Sequence, residues 1–284
     1  MDPLLEAVKI GAHDSLKELI DAKGDVNVTD DNGQSALMLA ARGQPTCLRL
    51  LLDARADLEV RNDEGETALL CAVLEGDSEC AQLLIDANAD LEAQDDVGQT
   101  ALMWAVSGNH VECAQLLIDT NANLEAKNMN DSTAVLFAVM KNHLACVRLL
   151  VDANADLEAA GCDGKTALMW AAVEGYTECT ELLINAKANV AARDEEGLTS
   201  LMFAAKYGNP SCVQLLLAAK AELDAKDNEG ETALIWAAME GYTACAQLLM
   251  DAKADTEAND NDGLTALMWA ARIGHAACVE LLSK

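Results

Sequence analysis

The chain has 284 residues, and its 48 acidic against 19 basic residues leave a formal charge of −29. A surface of that sign repels nucleic acid and anionic lipid. It suits a basic partner, or it simply keeps a long apolar stack in solution. Hydrophobic residues make up 51% of the chain, enough for a continuous core, while aromatics make up 3%, so each aromatic position is informative. No stretch approaches the ~20 apolar residues of a spanning helix. The start, Met1-Asp2-Pro3-Leu4-Leu5-Glu6, is acidic and has no long apolar run, so no signal peptide is expected.

In chain order, a pentapeptide returns at a fixed interval. A weak copy begins at Gly33, and Gly65-Glu66-Thr67-Ala68-Leu69 is the clear one. Further copies begin at Gly98, Gly164, Gly197, Gly230 and Gly263, and Asp131-Ser132-Thr133-Ala134-Val135 fills the remaining slot in degenerate form. The successive intervals are 32 residues once and 33 thereafter. Such a period signals stacked repeats, each touching its neighbours, with an extended surface in place of a closed pocket.

Residues 161–193 serve as the example. Thr166 is a candidate helix cap. Thr166 to Val173 reads as a short helix with Leu168, Ala171 and Ala172 on one face. Glu174-Gly175-Tyr176 is a turn, and Thr177 to Asn185 a second helix with Cys179, Leu182, Leu183 and Ile184 as its apolar side. Val190 to Glu196 is a polar connection with the form of a hairpin finger.

This grammar resembles the ankyrin repeat over essentially the whole chain. The resemblance implies an all-α solenoid of stacked helix–turn–helix units with hairpin fingers. A single array over 1–284 is expected: a cap repeat at 1–29, repeats starting near 30, 62, 95, 128, 161, 194 and 227, and a cap at 260–284. The family also implies a concave partner-binding face built from fingers and first helices. Two departures stand out. The family's Thr-Pro-Leu-His has Ala or Ser for Pro and an apolar residue for His: Met38, Leu70, Met103, Leu136, Met169, Met202, Ile235 and Met268. Packing of flexible apolar side chains should replace a polar network there. The Gly after the second helix is Arg55, Asn88, Asn121, Asn154, Lys187, Lys220 or Lys253. If left-handed, Asn tolerates the position and Lys or Arg costs about 1 kcal/mol.

Eight cysteines, from Cys47 to Cys278, recur every 33 residues at one second-helix position. Stacked helices lie ~8–10 Å apart, beyond the ~7 Å that a disulfide spans. The ladder therefore reads as a column of buried small hydrophobes in a reducing, intracellular, cytoplasmic setting. Cys162, in a finger, is the thiol expected to be exposed. A second column holds Trp104, Phe137, Trp170, Phe203, Trp236 and Trp269, with Leu39 and Cys71 before them. These rings either anchor a partner or seal the stack. Repeat 5 is irregular: Asn128-Met129-Asn130-Asp131 lacks the Gly, Asn142 replaces a turn Gly, and Met140 and Lys141 sit on the presumed groove face.

The acidic fingers superficially suggest calcium loops. The alignment fails, because Trp236 or Trp269 falls where the bidentate Glu belongs. His110, His143 and His275 share a turn slot and read as turn-stabilising groups. No phosphate loop or nucleophile motif occurs, so neither catalysis nor a cofactor is expected. The expected function is a monomeric adaptor or scaffold binding a protein partner, with Trp104, Phe137, Met140, Lys141, Trp170, Phe203, Tyr207, Trp236 and Trp269 as candidate contacts. The alternatives are a subunit permanently built into a larger complex and, less favoured, an enzyme or metal protein.

Overall fold

Each regular repeat begins where a hydroxyl can satisfy a helix end. In the computed structural model, which describes residues 2–284, Ser35, Thr67, Thr100, Thr199, Thr232 and Thr265 have extended backbone. Their side-chain oxygens accept the N–H three residues on at 3.2–3.5 Å. The expected cap at Thr166 has the same backbone, but its buried hydroxyl has no hydrogen-bond partner, and nor has that of Thr133.

The first helices are α1 (Pro3–Lys9), α3 (Ala36–Ala41), α5 (Ala68–Leu74), α7 (Ala101–Ser107), α9 (Ala134–Met140), α11 (Ala167–Glu174), α13 (Ser200–Lys206), α15 (Ala233–Met239) and α17 (Ala266–Ile273). The second helices are α2 (His13–Asp21), α4 (Pro45–Asp53), α6 (Ser78–Asp86), α8 (Val111–Asp119), α10 (Leu144–Asp152), α12 (Thr177–Asn185), α14 (Pro210–Ala218), α16 (Thr243–Asp251) and α18 (Ala276–Leu282). The all-helical class and the nine helix pairs match the sequence expectation. None exceeds nine residues, far too short to persist alone in water, so packing holds them. The one 32-residue interval, from Gly33 to Gly65, appears as a shortened α3, six residues long where its counterparts from α5 onward have seven or eight.

The chain forms two compact units, Met1–Phe137 and Ala138–Lys284. In the first, α1, α3, α5 and α7 pack in succession, as do α2, α4, α6 and α8. In the second, α11, α13, α15 and α17 form one layer and α10, α12, α14, α16 and α18 the other. The residues in the family's His slot are core: Met38, Leu70, Met103, Leu136, Met169, Met202 and Ile235 are at most 1% exposed, whereas Met268 is 52% exposed. All eight ladder cysteines are buried, and Cys162 is exposed. The apolar side of α12 differs from the expectation. Cys179, Thr180 and Leu183 are buried, while Leu182 and Ile184 are only half-buried. Thr180 escapes a hydropathy reading because its hydroxyl is satisfied inside the helix, donating to the Tyr176 carbonyl at 2.9 Å.

The residues after the second helices are left-handed, with φ of 58° at Arg55, 71° at Lys187, 63° at Lys220 and 75° at Lys253. A Cβ is strained there, whereas glycine is not, although glycine surrenders more chain entropy. Replacing Lys187, Lys220 and Lys253 together by Gly should therefore stabilise the protein by about 2 kcal/mol. An upward shift in urea midpoint with an unchanged slope checks this.

Candidate functional site

Outside the finger that starts at Gly161, each finger is organised by one side chain. Asp194 Oδ1 accepts from the N–H groups of Glu196 and Leu198 at 3.1 and 2.8 Å. Asp227 does the same for Glu229 and Glu231, and Asp260 for Asp262 and Leu264. Asp30, Asn62, Asp95 and Asn128 repeat the arrangement in the first unit. These groups shape the turn, closing the loop on itself. Among the described residues, no group of three or more His, Cys, Asp or Glu is placed to hold a metal ion.

The second oxygen of three of these aspartates does something the sequence analysis missed. Trp104 Nε1 donates to Asp95 at 2.8 Å, Trp236 to Asp227 at 2.9 Å and Trp269 to Asp260 at 2.6 Å. Each ring is thus oriented by its own finger while remaining half-buried. The signal was available: an Asp stands nine residues before each of these tryptophans. Trp170 is the exception, because Gly161 occupies that position and carries no carboxylate. In its finger Asp163 binds Lys165 instead, accepting from its backbone N–H at 3.1 Å and its Nζ at 2.8 Å.

Cations lie against the rings of the second unit. Lys165 Nζ lies 5.5 Å from the Trp170 centroid and 5.6 Å from that of Phe203. Lys206 Nζ sits 3.7 Å over Trp236, and the Arg272 guanidinium 5.0 Å over Trp269. Partial burial works against the Lys165 ammonium, but its hydrogen bond to Asp163 and the charges of Asp163 and Asp194 raise its pKa above the ordinary value. Lys206 and Arg272 occupy the same place on α13 and α17. Lys206 reaches the ring of the following repeat, and Arg272 covers the ring of its own.

The other candidate contacts fall differently. Phe203 is only 3% exposed, and Tyr207, 49% exposed, stacks on it with centroids 6.4 Å apart. Tyr207 therefore presents the outer ring of that pair. Phe137 is half-buried, Met140 is 37% exposed and Lys141 is exposed. Trp104 and Phe137 belong to the first unit, and the remaining candidates to the second. The shared turn slot is an inter-repeat lock. His275 Nε2 is 2.9 Å from the Met239 carbonyl, and Asn209 Nδ2 in the equivalent place donates to Ala172 and Val173 at 2.8 and 2.9 Å.

No helix among the described residues is long and apolar enough to cross a membrane. No curated protein matches the chain. The structure is similar to the crystal structure of the ankyrin repeat domain of Bcl-3, a member of the IkappaB protein family, with a TM-score of 0.71 and 26% identity over 76% of this chain and 98% of that one. In all, 558 solved chains match, so the likeness is to a widely used scaffold and points to no single partner. A family profile described as "Ankyrin repeats (3 copies)" matches residues 4–95, 88–161, 156–227 and 201–284. With period, helix pairing, finger geometry and profile in agreement along its length, the chain belongs to the ankyrin-repeat family.

Proposed function

We propose that this chain is an adaptor or scaffold without chemistry of its own, capturing a protein partner on the ring-bearing helix face of the Ala138–Lys284 unit. Ankyrin repeats generally mediate protein–protein interaction. The observation that carries the finer reading is the orientation of half-exposed indoles by finger carboxylates, as at Trp236 and Trp269. A partner meeting such rings does not have to order them, and pre-ordered aromatic groups are the usual energetic centres of protein interfaces. Met140, Lys141 and Tyr207 add accessible surface in the same unit. In the first unit, Trp104 and Phe137 provide further candidates. The charge of −29 favours a basic partner and opposes nucleic acid.

Replacing Trp170 and Trp236 together by Ala should weaken partner capture at least ~100-fold, the scale of a lost interface hot spot. Helical circular dichroism should be largely retained. Affinity capture at low and moderate salt, read by mass spectrometry, checks this. A permanently assembled subunit is the second reading, favoured by the uncovered Met268. Capture of one defined complex, indifferent to salt and to both substitutions, would support that reading instead.

A further inference from the structure

A cleft of about 340 Å³ opens between the finger at 194–198 and the finger at 227–231, walled by Leu198 and Trp236 and edged by Glu196, Asn228 and Glu231. Glu231 is its unusual member, being 91% buried (9% exposed). A buried carboxylate ordinarily has donors around it. The equivalent residue in the first unit, Glu66, illustrates this. Its Oε2 receives the Asn62 amide at 2.8 Å and the Arg42 guanidinium at 3.3 Å.

Both donors are replaced around Glu231. The place of Asn62 is taken by Asp227, whose two oxygens already accept from the Glu231 and Glu229 backbone and from the Trp236 indole. The place of Arg42, which pairs with Glu66, is taken by Lys206, which lies over the Trp236 ring and makes no ion pair within 4.0 Å among the described residues. The cleft thus presents a nearly buried carboxyl that neither an amide nor a guanidinium reaches and that faces the Asp227 carboxyl instead, beside an apolar wall and an aromatic ring. The groups facing it are Asp227 and Glu229 on its own finger, Asp260 on the next, Glu195 and Glu196 on the preceding finger, and Lys206 on α13. Five of these six are acidic, and no metal-binding group of side chains is present among the described residues.

We infer that this cleft receives an arginine side chain of the protein partner, its guanidinium facing Glu231 and its stem lying along Leu198. The inference rests on the interaction-module reading above. A guanidinium suits the site better than an ammonium or a hydrated ion, because it is planar, weakly hydrated and able to serve two carboxylates while packing on apolar and aromatic walls. Burial pushes the Glu231 carboxyl up to about 7, helped by the Asp227 and Asp260 charges and by a hydrogen bond shared with the Asp227 carboxyl, and opposed by Lys206. Recognition accordingly strengthens as pH rises through 7 and Glu231 ionises. Between pH 8 and pH 6 the ionised fraction falls about tenfold, and affinity falls with it.

The test is a titration of the whole chain with a blocked Gly-Arg-Gly peptide, followed by NMR at the Trp236 indole N–H. Glu231→Gln keeps the shape and removes the charge. Glu257→Gln, at an exposed carboxylate, is the control. Millimolar binding at pH 8 is expected, weakened about tenfold by Glu231→Gln and about tenfold at pH 6, unchanged by Glu257→Gln and clearly weaker for Gly-Lys-Gly. An unmoved Trp236 signal, equal losses in the two variants, or equal binding of the lysine peptide would overturn the inference. If Glu231→Gln leaves partner capture intact while Trp170→Ala with Trp236→Ala abolishes it, the arginine cleft fails and the module reading stands. Capture that survives all of these substitutions removes the module surface as well.

Discussion

Raising the pH from 8 to about 10.5 should unfold the protein, and the cysteine ladder is the reason. Burial pushes the thiols of Cys80, Cys113, Cys179 and Cys245 up to about 11 from an ordinary 9.0. The folded pKa therefore lies above the unfolded one. The associated stability is complete below about 9 and is lost as pH climbs through about 11. At pH 10 each such thiol costs about 1.4 kcal/mol, so four cost on the order of 5 kcal/mol, comparable to the whole stability of many domains. Helical circular dichroism against pH measures this directly. Replacing those four cysteines by Ala should move the alkaline transition to higher pH, and an unmoved midpoint would show that other groups control it.

The second large effect is a contrast within one repeat position. Met202→Ala should cost about 2–4 kcal/mol, because the side chain is 1% exposed and its removal leaves a cavity against close-packed neighbours. Met268→Ala should cost no more than about 0.5 kcal/mol, because that side chain is 52% exposed. The two residues are identical and occupy equivalent places on α13 and α17. Urea unfolding of both variants separates the effect of covering from any intrinsic preference for methionine. Equal losses would mean that Met268 is covered in solution.

The helix pairs and the left-handed residues were legible because each has a local cause: a helical period, a turn. The buried cysteine column was legible because stacking spacing forbids bridging. The candidate surface was legible only in part. Position alone placed the tryptophans in one column, but the orientation of Trp104, Trp236 and Trp269 depends on an aspartate nine residues away, outside the helix that carries each ring. Lys206 was invisible for a similar reason, since it covers a ring 30 residues downstream. Glu231 looked like one acid among 48, and only the loss of two donors around it sets it apart from Glu66. Phe203 shared the aromatic column yet sits beneath Tyr207, which column membership could not reveal.

The glycine at position 161 has a consequence for addressing. A periodic surface offers a partner several nearly equivalent docking positions, each shifted by one repeat, or ~10 Å. Identical rungs would let the partner slide. Gly161 breaks that equivalence: Trp170 has no carboxylate behind its indole, and Lys165 instead lies between its ring and that of Phe203. One rung thereby differs in its polar partners from those at Trp236 and Trp269. On the adaptor reading proposed above, a partner fitted to that rung should have a single in-phase position, because every shifted one sets a mismatched group against it.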